Sequence, residues 1–235
     1  MRGNGRPVDV PRVTWNLAGT DEWRTEEIWP PREIRSVRLS GTATGELTLQ
    51  ADAAETELTW THDPLDLVPS SVPDAFSFLL YLPDESGIGD RSDVLTFTTA
   101  EAPHDVELAG PVSARVRVRS TGPVMDCFVR LLDVAPDGTA LRIARGQIQL
   151  RNANAADAAE PTKIDLGQLG YLLRAGHRLR AHVSSSDYPE FIPQPGTGGD
   201  PWTEGTVTES NQQSIVVGGA DGFSIEVSIL KGELA

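Results

Sequence analysis

One cysteine, Cys127, stands in the whole chain, so no disulfide can form within it. That usage excludes the small disulfide-stapled secreted scaffolds and favours a reducing, cytoplasmic setting. Long apolar runs are missing too. No stretch approaches the length of a membrane span, and the opening "MRGNGRPVDVPR" lacks the apolar core of an export signal. The expected protein is soluble, with no membrane contact. Basic residues are scarce: 20 Lys and Arg face 34 Asp and Glu, for a formal net charge of −14. Phosphate backbones are held by clustered cations, so nucleic acid is excluded as a partner. The acidic surplus reads as a solvated surface that keeps the chain soluble. There is no glycine loop of the kind that cradles phosphate and no metal-ligand spacing, so no cofactor and no metal are expected.

Helical periodicity is weak everywhere. Its best candidate is a short turn near Gln168 to Leu173, in "PTKIDLGQLGYLLRAGHR". What fills the chain instead is alternation. In "VSARVRVRS", Val112, Ala114, Val116 and Val118 point one way while Ser113, Arg115, Arg117 and Arg119 point the other. That period of two belongs to a strand with one face in a core and one in water. "RGQIQLR" repeats it, and so does "HRLRAHV", with Leu179, Ala181 and Val183 against Arg178, Arg180 and His182. "CFVRLLDV", from Cys127 to Val134, is apolar on both faces, as in a central strand covered on both sides. Turn signals separate these runs, among them Pro136, Asp137 and Gly138 in "APDGTA". The 22 glycines and 17 prolines are scattered, which suits many short strands. The fold class is all-β, a jelly-roll β-sandwich of the galactose-binding-like kind.

Several residue groups invite a chemical reading. Ser184, Ser185 and Ser186 stand before Asp187, with His177 and His182 upstream. One reading makes a nucleophile, a base and an orienting acid of them. The other places them at the end of a strand, their hydroxyls bonded to neighbouring backbone. A reactive serine needs a strained turn, and no G-x-S-x-G elbow occurs in the chain, so the second reading is favoured. Cys127 lies inside an apolar strand, the setting of an inert thiol. His62 with Asp63 and Asp66 reads as a capped turn. His104 beside Asp105 has no ligand spacing around it, and the aspartates between 63 and 93 are the weakly supported place for calcium.

Six blocks, in order, resemble a known family: "DEWRTEEIWPP" from Asp21, "THDPLDLVPS" from Thr61, "DVLTFTT" from Asp93, "GPVSARVRVRS" from Gly110, "LLDVAPDGTALRIARGQIQLR" from Leu131 and "GHRLRAHVSSSDYPEF" from Gly176. Together they are similar to the C-terminal domain of the CocE/NonD hydrolases. That family includes cocaine-esterase-like enzymes, α-amino-acid ester hydrolases and Xaa-Pro dipeptidyl-peptidases. The resemblance implies a jelly-roll domain over residues 13–235, after an extension at 1–12. It implies a partner, an α/β-hydrolase catalytic domain or subunit that holds the Ser, His and Asp triad, with self-association as the alternative. Catalytic residues within this chain are then none, and whether the chain alone is an enzyme is left open. Leu79, Leu80 and Tyr81 match positions that line the substrate cleft in fused members. The loop here is shorter, and its usual glycine pair is replaced. Trp23, Arg24 and Trp29 fall in the interdomain segment and are candidates for docking. A reading of another class is a stand-alone sandwich that binds carbohydrate or protein and catalyses nothing.

Overall fold

The computed structural model describes residues 11–72, 76, 81–155, 160–203 and 207–235. Among these residues fourteen strands carry the fold. In chain order they are β1 (Val13–Asn16), β2 (Trp23–Glu26), β3 (Arg35–Gly41), β4 (Leu47–Thr48) and β5 (Thr56–His62). β6 (Leu95–Thr98), β7 (Val106–Val116), β8 (Val118–Ser120), β9 (Val124–Val134) and β10 (Ala140–Arg151) follow. β11 (Thr162–Leu173), β12 (Arg178–Ser184), β13 (Asn211–Val217) and β14 (Ser224–Lys231) complete the set. Among the described residues the only helical element is a 3-10 turn at Ile88–Asp90. No described helix is long and apolar enough to cross a membrane.

The strands form a five-stranded sheet β11-β7-β14-β3-β4, a four-stranded sheet β10-β9-β12-β6, a three-stranded sheet β5-β13-β8 and the hairpin β1-β2. All these pairings are antiparallel, so each strand shows one face inward and one outward. Met125, Cys127, Val129 and Leu131 of β9 meet Leu108 and Val112 of β7 and Ile225 and Val227 of β14 in the main core. Phe97 and Phe223 close one part of it, with ring centroids 4.7 Å apart. Burial pushes the Cys127 thiol up to about 12, which leaves it an unreactive core residue.

Three expectations change. The run 112–120 is not one strand. It breaks at Arg117, and the chain passes from the five-stranded sheet (β7) to the three-stranded one (β8). Arg117 marks the crossing, its guanidinium bound to both carboxylate oxygens of Glu55 and its carbonyl accepting from Val216 N at 2.9 Å. The expected helical turn near 168–173 is instead the second half of β11, paired with β7 along its length. Leu169, Tyr171 and Leu173 enter the main core while Leu172 is buried on the opposite face. Burial on both faces removes the polar half of the alternation, which is why the run mimics a helix. Finally, β12 does not show water its second face: His182 and Ser184 are both fully buried. Chain segments outside the sandwich cover them.

Leu131 is fully buried between the sheets. Leu131→Ala is expected to lower stability by about 3 kcal/mol, the usual cost of a core leucine truncation. Urea denaturation measures it, and a loss below about 1 kcal/mol would mean that this core is loosely packed.

Candidate docking surface

The hairpin β1-β2 covers the outer face of the five-stranded sheet. Its turn hooks onto the edge of β11: Ala18 N donates to Gly170 O at 2.8 Å and Leu172 N donates to Ala18 O at 3.0 Å. Trp15 then lies over Gly170, where an added Cβ would stand 2.8 Å from its ring. Trp29 meets Trp15 edge to face at 5.3 Å and donates from Nε1 to Gln168 Oε1 at 2.9 Å. Arg24 stacks 5.5 Å from the centre of the Trp15 ring. It also bridges Glu22 (2.8 Å) and Glu107 (2.5 Å), and its hydrogen bond holds the Glu107 carboxyl below its ordinary pKa. Of the three docking candidates on this side, Arg24 and Trp29 therefore pin the hairpin to the sheet. Trp23 alone projects, 70% exposed. Beside the hairpin runs an open groove of about 860 Å³, in which Arg24, Arg174 and Lys231 face Asp21, Asp105 and Glu107.

The outer face of the four-stranded sheet is covered differently. Two segments, 63–72 with 81–94 and 185–194, lie across it. They are zipped together by Tyr188 N to Val68 O (3.0 Å) and Ser70 N to Tyr188 O (2.7 Å). The first is also tied to β10, through Glu85 N to Ala140 O at 2.8 Å and Arg142 N to Pro83 O at 2.9 Å. At one end, Leu65 N and Asp66 N close a turn on Asp63. His62 is buried, faces Gln194 O at 2.9 Å, and is held by burial below its ordinary pKa. Tyr81 is 72% exposed on this cover. Leu79 and Leu80, the other two cleft candidates, lie outside the described residues. The hairpin and the cover thus occupy opposite faces of the sandwich, so Trp23 and Tyr81 do not share one flat surface.

Beneath the cover lies a buried ionic cluster that sequence reasoning did not assign. Arg130, fully buried on the outer face of β9, reaches Asp187 Oδ1 at 3.0 Å and stands 3.6 Å from Glu85 Oε1. Arg142 Nη1 meets Glu85 at 3.1 Å, and Arg145 bridges Asp187 and Glu190. The hydrogen bond from Arg145 draws the Glu190 carboxyl down to about 2. Glu85 is pushed up by burial, yet His182 and the two arginines outweigh that and hold it below its ordinary value. One signal was present in the sequence: an arginine inside the doubly apolar run "CFVRLLDV" needs buried partners.

The serines belong to this layer. Ser184 Oγ accepts from Arg130 (2.8 Å) and donates to Ser186 O (3.1 Å). Ser185 Oγ accepts from Trp60 Nε1 (2.6 Å) and donates to Gln213 Oε1 (2.7 Å), and Ser186 Oγ accepts from Val68 N (2.9 Å). All three are buried. His177 sits elsewhere, 2.7 Å from Asp133, whose other oxygen accepts from Tyr171. The structure does not bring a serine, a histidine and an aspartate of this set into one relay. Among the described residues, which leave out Asp74, no three His, Cys, Asp or Glu side chains are grouped to hold a metal; His104 is exposed.

Two stability predictions concern charged groups of β9. Arg130→Met strands Glu85 and Asp187, and is expected to cost about 4 kcal/mol in urea denaturation; a cost under 1 kcal/mol would mean that the cluster is dispensable. Asp126, beside Gln149 on the same strand face, has its pKa raised by burial to about 6. Its folded value lies above its unfolded one. The penalty for the charged form therefore builds between about pH 4 and pH 6 and is constant above. Asp126→Asn is expected to stabilise the fold by about 2 kcal/mol at pH 8 and by almost nothing at pH 4. Equal effects at both pH values would disprove the assignment.

Comparison with known proteins fits this geometry. A family model described as the X-Pro dipeptidyl-peptidase C-terminal non-catalytic domain matches residues 4–223. The cocaine esterase of Rhodococcus sp. is 33% identical over 213 residues, covering 81% of this chain and 36% of that protein. An aminopeptidase from a Thaumarchaeota archaeon superposes with a TM-score of 0.80 at 22% identity, over 95% of this chain and 41% of its own. An α-amino acid ester hydrolase gives a TM-score of 0.79 at 21% identity, over 94% of this chain and 41% of its own. The chain thus spans about a third of the cocaine esterase, which continues beyond the matched region. It belongs to the X-Pro dipeptidyl-peptidase C-terminal non-catalytic domain family, the C-terminal β-sandwich of the CocE/NonD hydrolases.

Proposed function

We propose that this β-sandwich serves an α/β-hydrolase catalytic domain as a non-catalytic companion, docking on it through the covered face of the four-stranded sheet. The observation that carries this reading is the placing of exposed apolar side chains. Of the eleven large ones exposed among the described residues, five come from this cover: Leu65, Tyr81, Leu82, Tyr188 and Ile192. Apolar side chains scattered singly need no explanation, but a concentration on one face marks a contact surface. The cover is also held rigid from below by the ionic cluster, so little order has to be gained on docking. Tyr81 would then stand at the edge of the catalytic cleft. The hydrolase domain would supply serine, histidine and aspartate for attack on an ester or an Xaa-Pro peptide, and this chain would wall the substrate in. A reducing, cytoplasmic setting suits its single buried thiol.

The test uses the purified chain with the α/β-hydrolase portion of a cocaine-esterase-type relative. Alone, the chain is expected to give no fluorophosphonate adduct and no phenyl-ester turnover. With the hydrolase portion it is expected to co-elute in gel filtration, and the double substitution Tyr81→Asp and Tyr188→Asp to weaken that association at least tenfold. An adduct on Ser184, Ser185 or Ser186, or association untouched by the double substitution, would overturn the reading.

A further inference from the structure

His182 is a buried base that no role described above employs. Its ring is fully buried, and neither nitrogen has a hydrogen-bond partner among the described residues. The nearest acid is Glu85, whose Oε2 stands 3.4 Å from Nδ1 and also lacks a hydrogen bond. The other nitrogen faces the 3-10 turn of the cover: a Cβ added to Gly89 would lie 2.9 Å from Nε2. The segment 83–91 therefore lies over the imidazole as a lid.

The charged groups around the ring come from each element that packs against it. The lid brings Glu85, with Asp90 acting on neighbouring Arg180; β9 brings Arg130, opposite His182 in register; β12 itself brings Arg180. On the side of β6 the register partner is Thr96, which carries no charge. Glu85 is already shared by Arg130 and Arg142. The cluster as a whole balances Arg130, Arg142 and Arg145 against Glu85, Asp187 and Glu190. A proton on His182 would add a positive charge to this balanced cluster at a ring that is fully buried in the closed form.

We propose that His182 makes the segment 83–91 a pH-sensitive latch, seated while the imidazole is neutral and lifted when it takes up a proton. The direction follows from linkage. Burial, the largest influence, holds the imidazole of the closed form below its ordinary value of 6.5. The open form, with a hydrated ring, binds the proton first. Opening thus becomes more favourable as pH falls below about 6.5, by up to tenfold for each pH unit until the closed form titrates too. Because Tyr81 and Leu82 lead directly into this segment, an acid-opened latch would disorder the docking face. That consequence rests on the reading under Proposed function; the latch itself does not.

Hydrogen exchange at single amides tests it on the intact chain. The Glu85 amide, bonded to Ala140 O, and the Arg142 amide, bonded to Pro83 O, report whether the lid is seated. After correction for intrinsic rates, their protection is expected to fall about tenfold between pH 7.0 and pH 5.5. His182→Gln is expected to remove that dependence, and His62→Gln, at the second buried histidine, to retain it. Gly89→Ala, whose methyl would press on the ring, is expected to lower protection at both pH values; it supplies the test if His182→Gln does not fold. Protection that ignores pH, or a pH dependence that survives His182→Gln, would overturn the latch. A latch that opens while association with the hydrolase portion holds at pH 5.5 would support the latch and overturn the docking face instead.

Discussion

Everything on the outer side of the four-stranded sheet depends on Arg130. The strand that carries it is buried on both faces, and its outward face would otherwise need an apolar partner. An arginine there has no water to solvate it, so it must gather acceptors from whatever chain lies above. It gathers Asp187 and the Ser186 carbonyl from one segment and approaches Glu85 of the other. Two stretches without strand structure of their own are thereby fixed on the sheet. Arg142 and Arg145 extend the pattern from β10 and share the same carboxylates.

The two outer faces are held by different physics. On the five-stranded sheet the cover is the β1-β2 hairpin, seated by apolar contact: Trp15, Leu17, Ala109 and Leu172 form its small core, with Trp29 packed against it. Arg24 and Glu107 add an ion pair at the partly exposed margin, where such pairs add little. On the four-stranded sheet the apolar contacts under the cover are the small cluster of Val68, Ile88 and Val94 and the ring pair Phe128–Phe191, and buried charge joins them in fixing it. Apolar seats tolerate small slips. The fork of an arginine against a carboxylate does not, because both partners are directional.

The sandwich itself was legible from residue order. Alternation in Val112 to Val118 and in Leu179 to Val183 reports their inward faces correctly, and the Pro-Asp-Gly turn does join β9 to β10. Where legibility failed, a second layer of chain was the cause. His182 and Ser184 look like outward residues of a half-wet strand, and Gln168 to Leu173 looks helical, because a segment distant in sequence covers each. Local pattern records how polar a side chain is, not what the fold later lays over it. The serine run, read from sequence as the end of a strand, differs only in its partners: Arg130, Trp60 and Val68, all distant in sequence, claim the three hydroxyls one by one. Arg130 was the readable exception, since an arginine flanked by Val129 and Leu131 has few places to go.

An ionic layer beneath the proposed contact surface also has a use that stability alone does not explain. Buried ion pairs are weak contributors to net stability, because desolvation offsets most of their attraction. A well-packed apolar layer under Tyr81 and Tyr188 would hold the cover at least as firmly. It would not fix which carboxylate meets which strand, and so would leave the height and register of the two segments loosely specified. With Glu85 set against Arg142 and Asp187 against Arg130, each segment has one seat. A surface that must match a partner needs that single seat more than it needs added stability. The neutral imidazole packed into the same layer makes the seat conditional, since a layer balanced in charge has no capacity for one more proton.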